Sequence, residues 1–159
     1  MKRWIQILCG VLLVVHVSSG TELQKPNIVL FIADDQSVFD YGSYGNGSVP
    51  TGVTDRFAAE SLLFERAYTG QAICAPSRSI MYTGLYPVRN GCFINHTAIR
   101  PGVRTLPGYL KPLGYEVVLA GKSHVKPMSQ FDWSDWFPPK KVEGRPRPAL
   151  PFERMESFF

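Results

Sequence analysis

With 159 residues, 45% hydrophobic and 19% charged, the chain has room for one domain with a core and the composition of an ordinary globular protein. This excludes wholesale disorder and a large multi-domain enzyme. The formal net charge is +4, but removing Lys2 and Arg3 with a leader takes the 17 basic residues to 15 against 13 acidic ones, which leaves no electrostatic footprint for a nucleic-acid partner.

Residues 1–20 lay out as a secretory signal. Lys2 and Arg3 come first, then an apolar stretch over residues 5–17 broken only by Gln6, Gly10 and His16, then Ser18-Ser19-Gly20, with small residues where a signal peptidase needs them. The run is short for a bilayer span, so cleavage is expected with no stable membrane insertion afterwards; an uncleaved anchor is the alternative. The destination is the periplasm, the cell exterior or a lysosome. Residues 21–159 form the mature part. Three cysteines become two, Cys74 and Cys92, and their separation of 18 residues permits a disulfide in an oxidising compartment.

The run Asn27-Ile28-Val29-Leu30-Phe31-Ile32-Ala33 predicts a strand buried on both faces, as in a parallel sheet. Tyr41-Gly42-Ser43-Tyr44-Gly45 reads as loop. Residues 54–68 carry a helical pattern that Thr54 or Asp55 can cap, with Phe57, Leu62 and Phe64 as apolar positions; a short strand from Ser61 fits equally well. A second helix is expected over 74–85, with Pro76 in its first turn. A third spans 105–113, weakened by Pro107 and ended at Pro112-Leu113-Gly114. Residues 115–121 read as another buried strand. Strand, helix, helix, strand is the grammar of an α/β fold with a mostly parallel sheet flanked by helices. Residues 138–159 hold Pro138, Pro139, Pro146, Pro148 and Pro151 and are expected to form no regular structure, only a long loop or linker.

Three motifs sit at the ends of these elements, where sites assemble in doubly wound sheets. Asp34-Asp35 follows the first strand. Adjacent carboxylates repel unless neutralised, and a hard divalent cation, Ca²⁺ or Mg²⁺, would neutralise them; a solvated acidic turn is the alternative. Cys74-Ala75-Pro76-Ser77-Arg78 opens a helix, where free backbone N–H groups and the dipole favour an anion, and Arg78 adds a permanent cation one turn along. Gly121-Lys122-Ser123-His124 follows the second strand and offers a cation and a proton-transfer group, or simply a surface lysine and a hydrogen-bonded histidine.

Together, in this order, the three motifs resemble those of the formylglycine-dependent sulfatases, and the resemblance runs from Lys25 to about Trp136. It implies the N-terminal portion of an alkaline-phosphatase-like catalytic domain, incomplete at its C-terminus. Within the family, Gly121-Lys122-Ser123-His124-Val125-Lys126-Pro127, with Phe131-Asp132 after it, most resembles the heparan N-sulfatase (sulfamidase) branch. The resemblance implies that a formylglycine-generating enzyme converts Cys74 to an aldehyde whose hydrate attacks sulfur and then expels sulfate. Asp34, Asp35 and the modified Cys74 would hold Ca²⁺. Arg78 would fix the hydrate, Lys122 would contact hydrate and sulfate, and His124 would bond the formylglycine hydroxyl and take its proton. Lys122 and His124 are thus both catalytic and substrate-binding, and the substrate would be a sulfated carbohydrate carrying a sulfate ester or sulfamate. A Cys74–Cys92 bridge would consume the nucleophile, which leaves Cys92 a thiol without a role.

Ser123 stands where many sulfatases carry a bulky aromatic, and Val117 where Ser or Thr is usual. The family's second pair of metal ligands, a further His and a further Lys come from later in the chain than Phe159. The 159 residues by themselves are therefore expected to bind calcium weakly, to show no turnover and to leave apolar faces uncovered. A phosphonate or phosphate ester hydrolase with the same residues, and a non-catalytic truncated secreted protein, are the competing readings. Trp133 and Trp136 are offered as sugar-stacking or loop-packing aromatics. Asn46-Gly47-Ser48 and Asn95-His96-Thr97 are glycosylation sequons, and Lys140, Lys141, Arg145 and Arg147 form a basic loop.

Overall fold

The computed structural model describes residues 25–141, 143, 149–150 and 152–156. The proposed leader lies outside the described residues. The chain divides into two units, Met1–Ala33 and Asp34–Phe159.

In the first unit, residues 25–33 form neither helix nor strand, and Ile28, Val29, Leu30 and Phe31 are exposed. The strand expected over 27–33 is therefore corrected to a segment without regular secondary structure. Its β-branched residues supply propensity, but a strand exists only against a neighbour that completes its ladder, and among the described residues none pairs with it.

The second unit opens with two 3₁₀ turns, Val38–Asp40 and Gly42–Tyr44. Helix α1 follows at Gly52–Ala59. It starts earlier than the sequence suggested because Asp55 lies inside its first turn: the carboxylate accepts from the Thr51 hydroxyl and the Ser43 N–H, each at 2.8 Å, and so ties the helix start to the preceding turn. It also ends sooner. No residue of α1 is buried, and beyond Ala59 the apolar positions Leu62 and Phe64 are exposed, so nothing drives another turn and no strand begins at Ser61.

Helix α2, Cys74–Thr83, is the best-packed element, with Ala75, Pro76, Arg78, Ser79, Tyr82 and Thr83 buried. Pro76 lies in the first turn, where its missing N–H leaves no helical bond unmade. Gly84 closes the helix in a left-handed conformation (φ 67°), its N–H bonded to the Ile80 carbonyl at 2.8 Å. Short helices α3 (Pro87–Asn90) and α4 (Leu106–Leu110) follow, the latter running into a 3₁₀ turn at Lys111–Leu113.

Strand β1 (Val118–Ala120) pairs in parallel with β2 (Asp135–Phe137), in the register Val118–Asp135, Leu119–Trp136 and Ala120–Phe137. The crossover between them carries α5 (Met128–Phe131), as parallel pairing requires a long connection. Tyr82 of α2 meets Phe131 and Trp133 edge-on, and these two stack with ring centroids 6.1 Å apart. Trp133 thus packs the crossover onto the body of the domain. The C-terminal segment holds more order than its prolines suggested: Lys140 and Ala149 form an antiparallel bridge, and α6 spans Phe152–Glu156. The α/β class and the parallel pairing agree with expectation; β2 was not anticipated.

Candidate active site

Three loops converge on the start of α2. Asp34 and Asp35 precede the first 3₁₀ turn, Cys74 is the first residue of α2, and Lys122 and His124 follow β1. At the end of β1, Gly121 turns the chain with φ 88°, its N–H held by the Phe137 carbonyl at 2.7 Å. A Cβ there would meet only the end of the exposed, flexible Leu150 side chain, so it is the positive φ that favours glycine at the turn presenting Lys122.

Asp34 is the hub. Lys122 Nζ donates to both of its carboxylate oxygens, at 2.8 and 2.9 Å, and Arg78 Nη2 lies 3.7 Å from Oδ1. Arg78, itself buried, also donates through Nη1 to the Lys122 carbonyl at 3.0 Å. One guanidinium therefore locks α2 to the loop after β1 while facing the acidic pair. Asp35 has φ 58°, and one donor atom from each of Asp34, Asp35 and Cys74 fall within 4.8 Å of one another. Cys74 and Cys92 are both free thiols, which removes the disulfide alternative. Cys92 is fully buried and donates to the Thr97 carbonyl at 3.3 Å.

The donor set suits a hard cation in kind. Two carboxylates supply oxygen ligands, and a carboxylate that accepts from lysine keeps lone pairs for a metal. The thiol of Cys74 is a soft ligand and fits Ca²⁺ only once its sulfur is replaced by oxygen. In number, these three residues furnish part of the roughly 6–8 oxygens that Ca²⁺ takes.

His124 approaches from the same loop with φ 47°. Its Nε2 lies 2.8 Å from Nδ1 of His96, while its own Nδ1 is shielded from solvent without a hydrogen-bond partner. Burial, then the charges of Lys122, His96 and Arg78, push its pKa below the usual histidine value, against a smaller opposite pull from Asp34. Burial likewise raises the Tyr82 phenol, opposed by the guanidinium of Arg78.

Asp34, Asp35, Cys74, Arg78 and Lys122 are thus gathered as the motifs suggested, with His124 beside them. Two residues were missed in these roles. Asn95 Oδ1 accepts the Ala75 N–H at 3.2 Å, acting as a remote cap on the helix that carries Cys74. His96 pairs with His124. Both sit inside a sequon that drew attention to glycosylation instead. The available signal was scarcity: apart from His16, His96 and His124 are the only histidines in the sequence. Trp136, expected as a sugar-stacking or packing residue, is partly exposed and donates to the Gly121 carbonyl at 3.0 Å.

The sequence profile of the sulfatase family matches residues 26–147. The chain is 49% identical over 135 residues to an ulvan-active sulfatase from Formosa agariphila, covering 85% of this chain and 27% of that protein. It is 32% identical over 154 residues to human N-acetylgalactosamine-6-sulfatase, covering 82% of this chain and 30% of the relative. Human N-sulphoglucosamine sulphohydrolase is 35% identical over 128 residues, covering 77% and 25% respectively. The chain therefore spans less than a third of the length of these relatives.

Proposed function

The chain belongs to the sulfatase family, and from that premise we propose that the protein hydrolyses sulfuric esters or sulfamates of a sulfated carbohydrate. The observation that supports this most directly is the gathering of Asp34, Asp35 and Cys74 within 4.8 Å, with Lys122 and Arg78 on the Asp34 carboxylate. Two fixed cations beside paired carboxylates at a helix start make a place where an anionic tetrahedral sulfuryl group and a hard metal can share neighbours.

Cys74, oxidised to formylglycine, would supply an aldehyde hydrate as nucleophile, and Ca²⁺ held by Asp34, Asp35 and that residue would polarise a sulfate oxygen. The remaining work falls to this chain's own side chains. Arg78 and Lys122 hold the Asp34 carboxylate in place and offer positive charge to the incoming sulfate. His124 stays neutral at pH 7, so its shielded Nδ1 is ready to exchange a proton with the nucleophile or the departing group. The phenol of Tyr82 stays protonated behind Arg78 and adds no competing anion.

The names of the relatives, one ulvan-active and two acting on amino-sugar sulfates, support a sulfated carbohydrate as the substrate class. The modifying enzyme is a necessary partner. The leader-like residues 1–20 suit export, in keeping with that partnership, and among the described residues no helix is long and apolar enough to cross a membrane.

Mass spectrometry of the tryptic peptide spanning residues 67–78, from protein made in its native host, should find an aldehyde in place of the Cys74 thiol. The same preparation should release sulfate from para-nitrophenyl sulfate and from a sulfated amino sugar, with Cys74→Ala inert. An unmodified thiol, or a large preference for an aryl phosphonate ester, overturns the reading.

A further inference from the structure

The contact between His96 and His124 has no part in the chemistry above. His96 lies on the segment between α3 and α4, yet its Nδ1 comes within 2.8 Å of His124 Nε2, with ring centroids 4.7 Å apart and planes tilted by 50°. Both residues have positive φ, 67° and 47°. An L-residue adopts that conformation at a cost of roughly 1–2 kcal/mol, so two such residues meeting side chain to side chain mark an arrangement their surroundings impose.

Those surroundings are visible on both sides of His96. Asn95 holds the Ala75 N–H, fixing the segment to the helix of Cys74. Thr97 donates to the Ile94 carbonyl at 2.6 Å, and its own carbonyl accepts from the buried Cys92 thiol. The Ile99 N–H reaches the Lys126 carbonyl at 2.8 Å, two residues past His124. His96 is thus set on a strap fastened at one end to the α2 start and at the other to the loop of His124.

We propose that His96 is a positioning residue for His124, fixing the orientation and tautomer of its ring and so deciding which nitrogen faces the reacting group. The proposal rests on the sulfate-ester hydrolase reading for its kinetic consequence, though not for its structural one. With Nε2 engaged by His96, the nitrogen left for proton transfer is Nδ1, the atom that is shielded and unpartnered. If His124 donates through Nε2–H, Nδ1 carries a lone pair and acts as a base; if His96 donates, Nδ1 carries the proton and acts as an acid. Asn95 carries the same strap to the nucleophile, so one short segment sets the spacing between the two reacting side chains.

Two substitutions separate positioning from folding. His96→Gly fits φ 67° without strain and removes the imidazole, whereas His96→Asn also tolerates that backbone and keeps a hydrogen-bonding group near the position of Nδ1. In full-length protein bearing the modified Cys74, His96→Gly should lower kcat on para-nitrophenyl sulfate by about 10- to 100-fold, with KM changed by less than about threefold, and His96→Asn should recover most of the loss. Long-range nitrogen–proton NMR should show His124 as a single neutral tautomer in the parent and a mixture in His96→Gly. An unchanged His124 tautomer in His96→Gly overturns the proposal, as does an unchanged kcat in an active preparation. A parent that folds and shows the single tautomer but releases no sulfate overturns the functional reading and leaves the NMR comparison to decide the role of His96.

Discussion

Lys122 grips both oxygens of Asp34, at 2.8 and 2.9 Å, although the two residues stand 88 positions apart. The pair is partly open to water, with side chains 35% and 41% exposed, so solvent screens it and its share of folding stability is small, about 0–1 kcal/mol. Its importance lies in charge placement at the site. Lys122→Met should therefore shift the melting temperature by only a few degrees while cutting sulfate release by about 100-fold or more. Parallel thermal melts and turnover assays check this, and a large loss of stability with intact turnover contradicts it.

Arg78 contrasts with Lys122 because it is buried. Its guanidinium serves Asp34 and the Lys122 carbonyl from one planar group, a geometry that a single ammonium cannot reproduce. Arg78→Lys should cost about 2–4 kcal/mol, toward the lower end of what breaking a buried ion pair costs, since Asp34 is itself part-exposed. Urea unfolding of the variant and parent gives the difference directly. A loss below about 0.5 kcal/mol would place the stabilising role elsewhere.

Gly121 and Gly102 allow a controlled comparison. Both have positive φ, 88° and 77°, but an added Cβ at Gly121 meets Leu150 at 2.5 Å whereas at Gly102 nothing lies within 4 Å. Gly102→Ala should cost about 1 kcal/mol from backbone strain alone. Gly121→Ala should cost up to about 0.5 kcal/mol more, since the Leu150 methyl it meets ends an exposed, flexible side chain, and should reduce activity by displacing Lys122. Gly121→Ala combined with Leu150→Ala should recover part of the difference. Equal costs for the two single variants would show that the contact with Leu150 carries no weight.

The site was more legible in the sequence than the fold. Asp34-Asp35, Cys74 to Arg78 and Gly121 to His124 are contiguous groups whose chemistry is local, and each sits next to an element boundary that glycine, proline or an apolar run reveals. The strand expected at 27–33 failed because strand formation depends on a partner, which local pattern does not encode. Strand β2 was hidden for the converse reason: Asp135-Trp136-Phe137 has no alternation of its own and is a strand only because Val118–Ala120 lies beside it. Helix α6 was masked by the prolines before it. Asn95 and His96 act through contacts 20 and 28 positions away, which a reading of neighbours does not reach.

His124 gives the pH dependence a definite sign. Burial first, then the positive field of Lys122, His96 and Arg78, holds its pKa below the ordinary histidine value, with Asp34 pulling weakly the other way. In the unfolded chain the same ring takes up its proton near pH ~6.5. Between that value and the lower folded pKa the unfolded state binds more protons, so the contribution to stability is fully present above pH ~6.5 and is lost as the pH falls through the folded pKa. Proton–carbon NMR of the His124 ring should give a midpoint below ~6.5. Lys122→Met should move that midpoint upward, because it deletes the strongest of the positive charges that lower it. In the same preparations activity should hold on the neutral side and fall on acidification, following the His124 midpoint as it moves with the variant. A midpoint at or above ~6.5 in the parent would mean that the ring is better solvated than its shielded Nδ1 indicates, and the neutral proton-transfer role would then belong to another group.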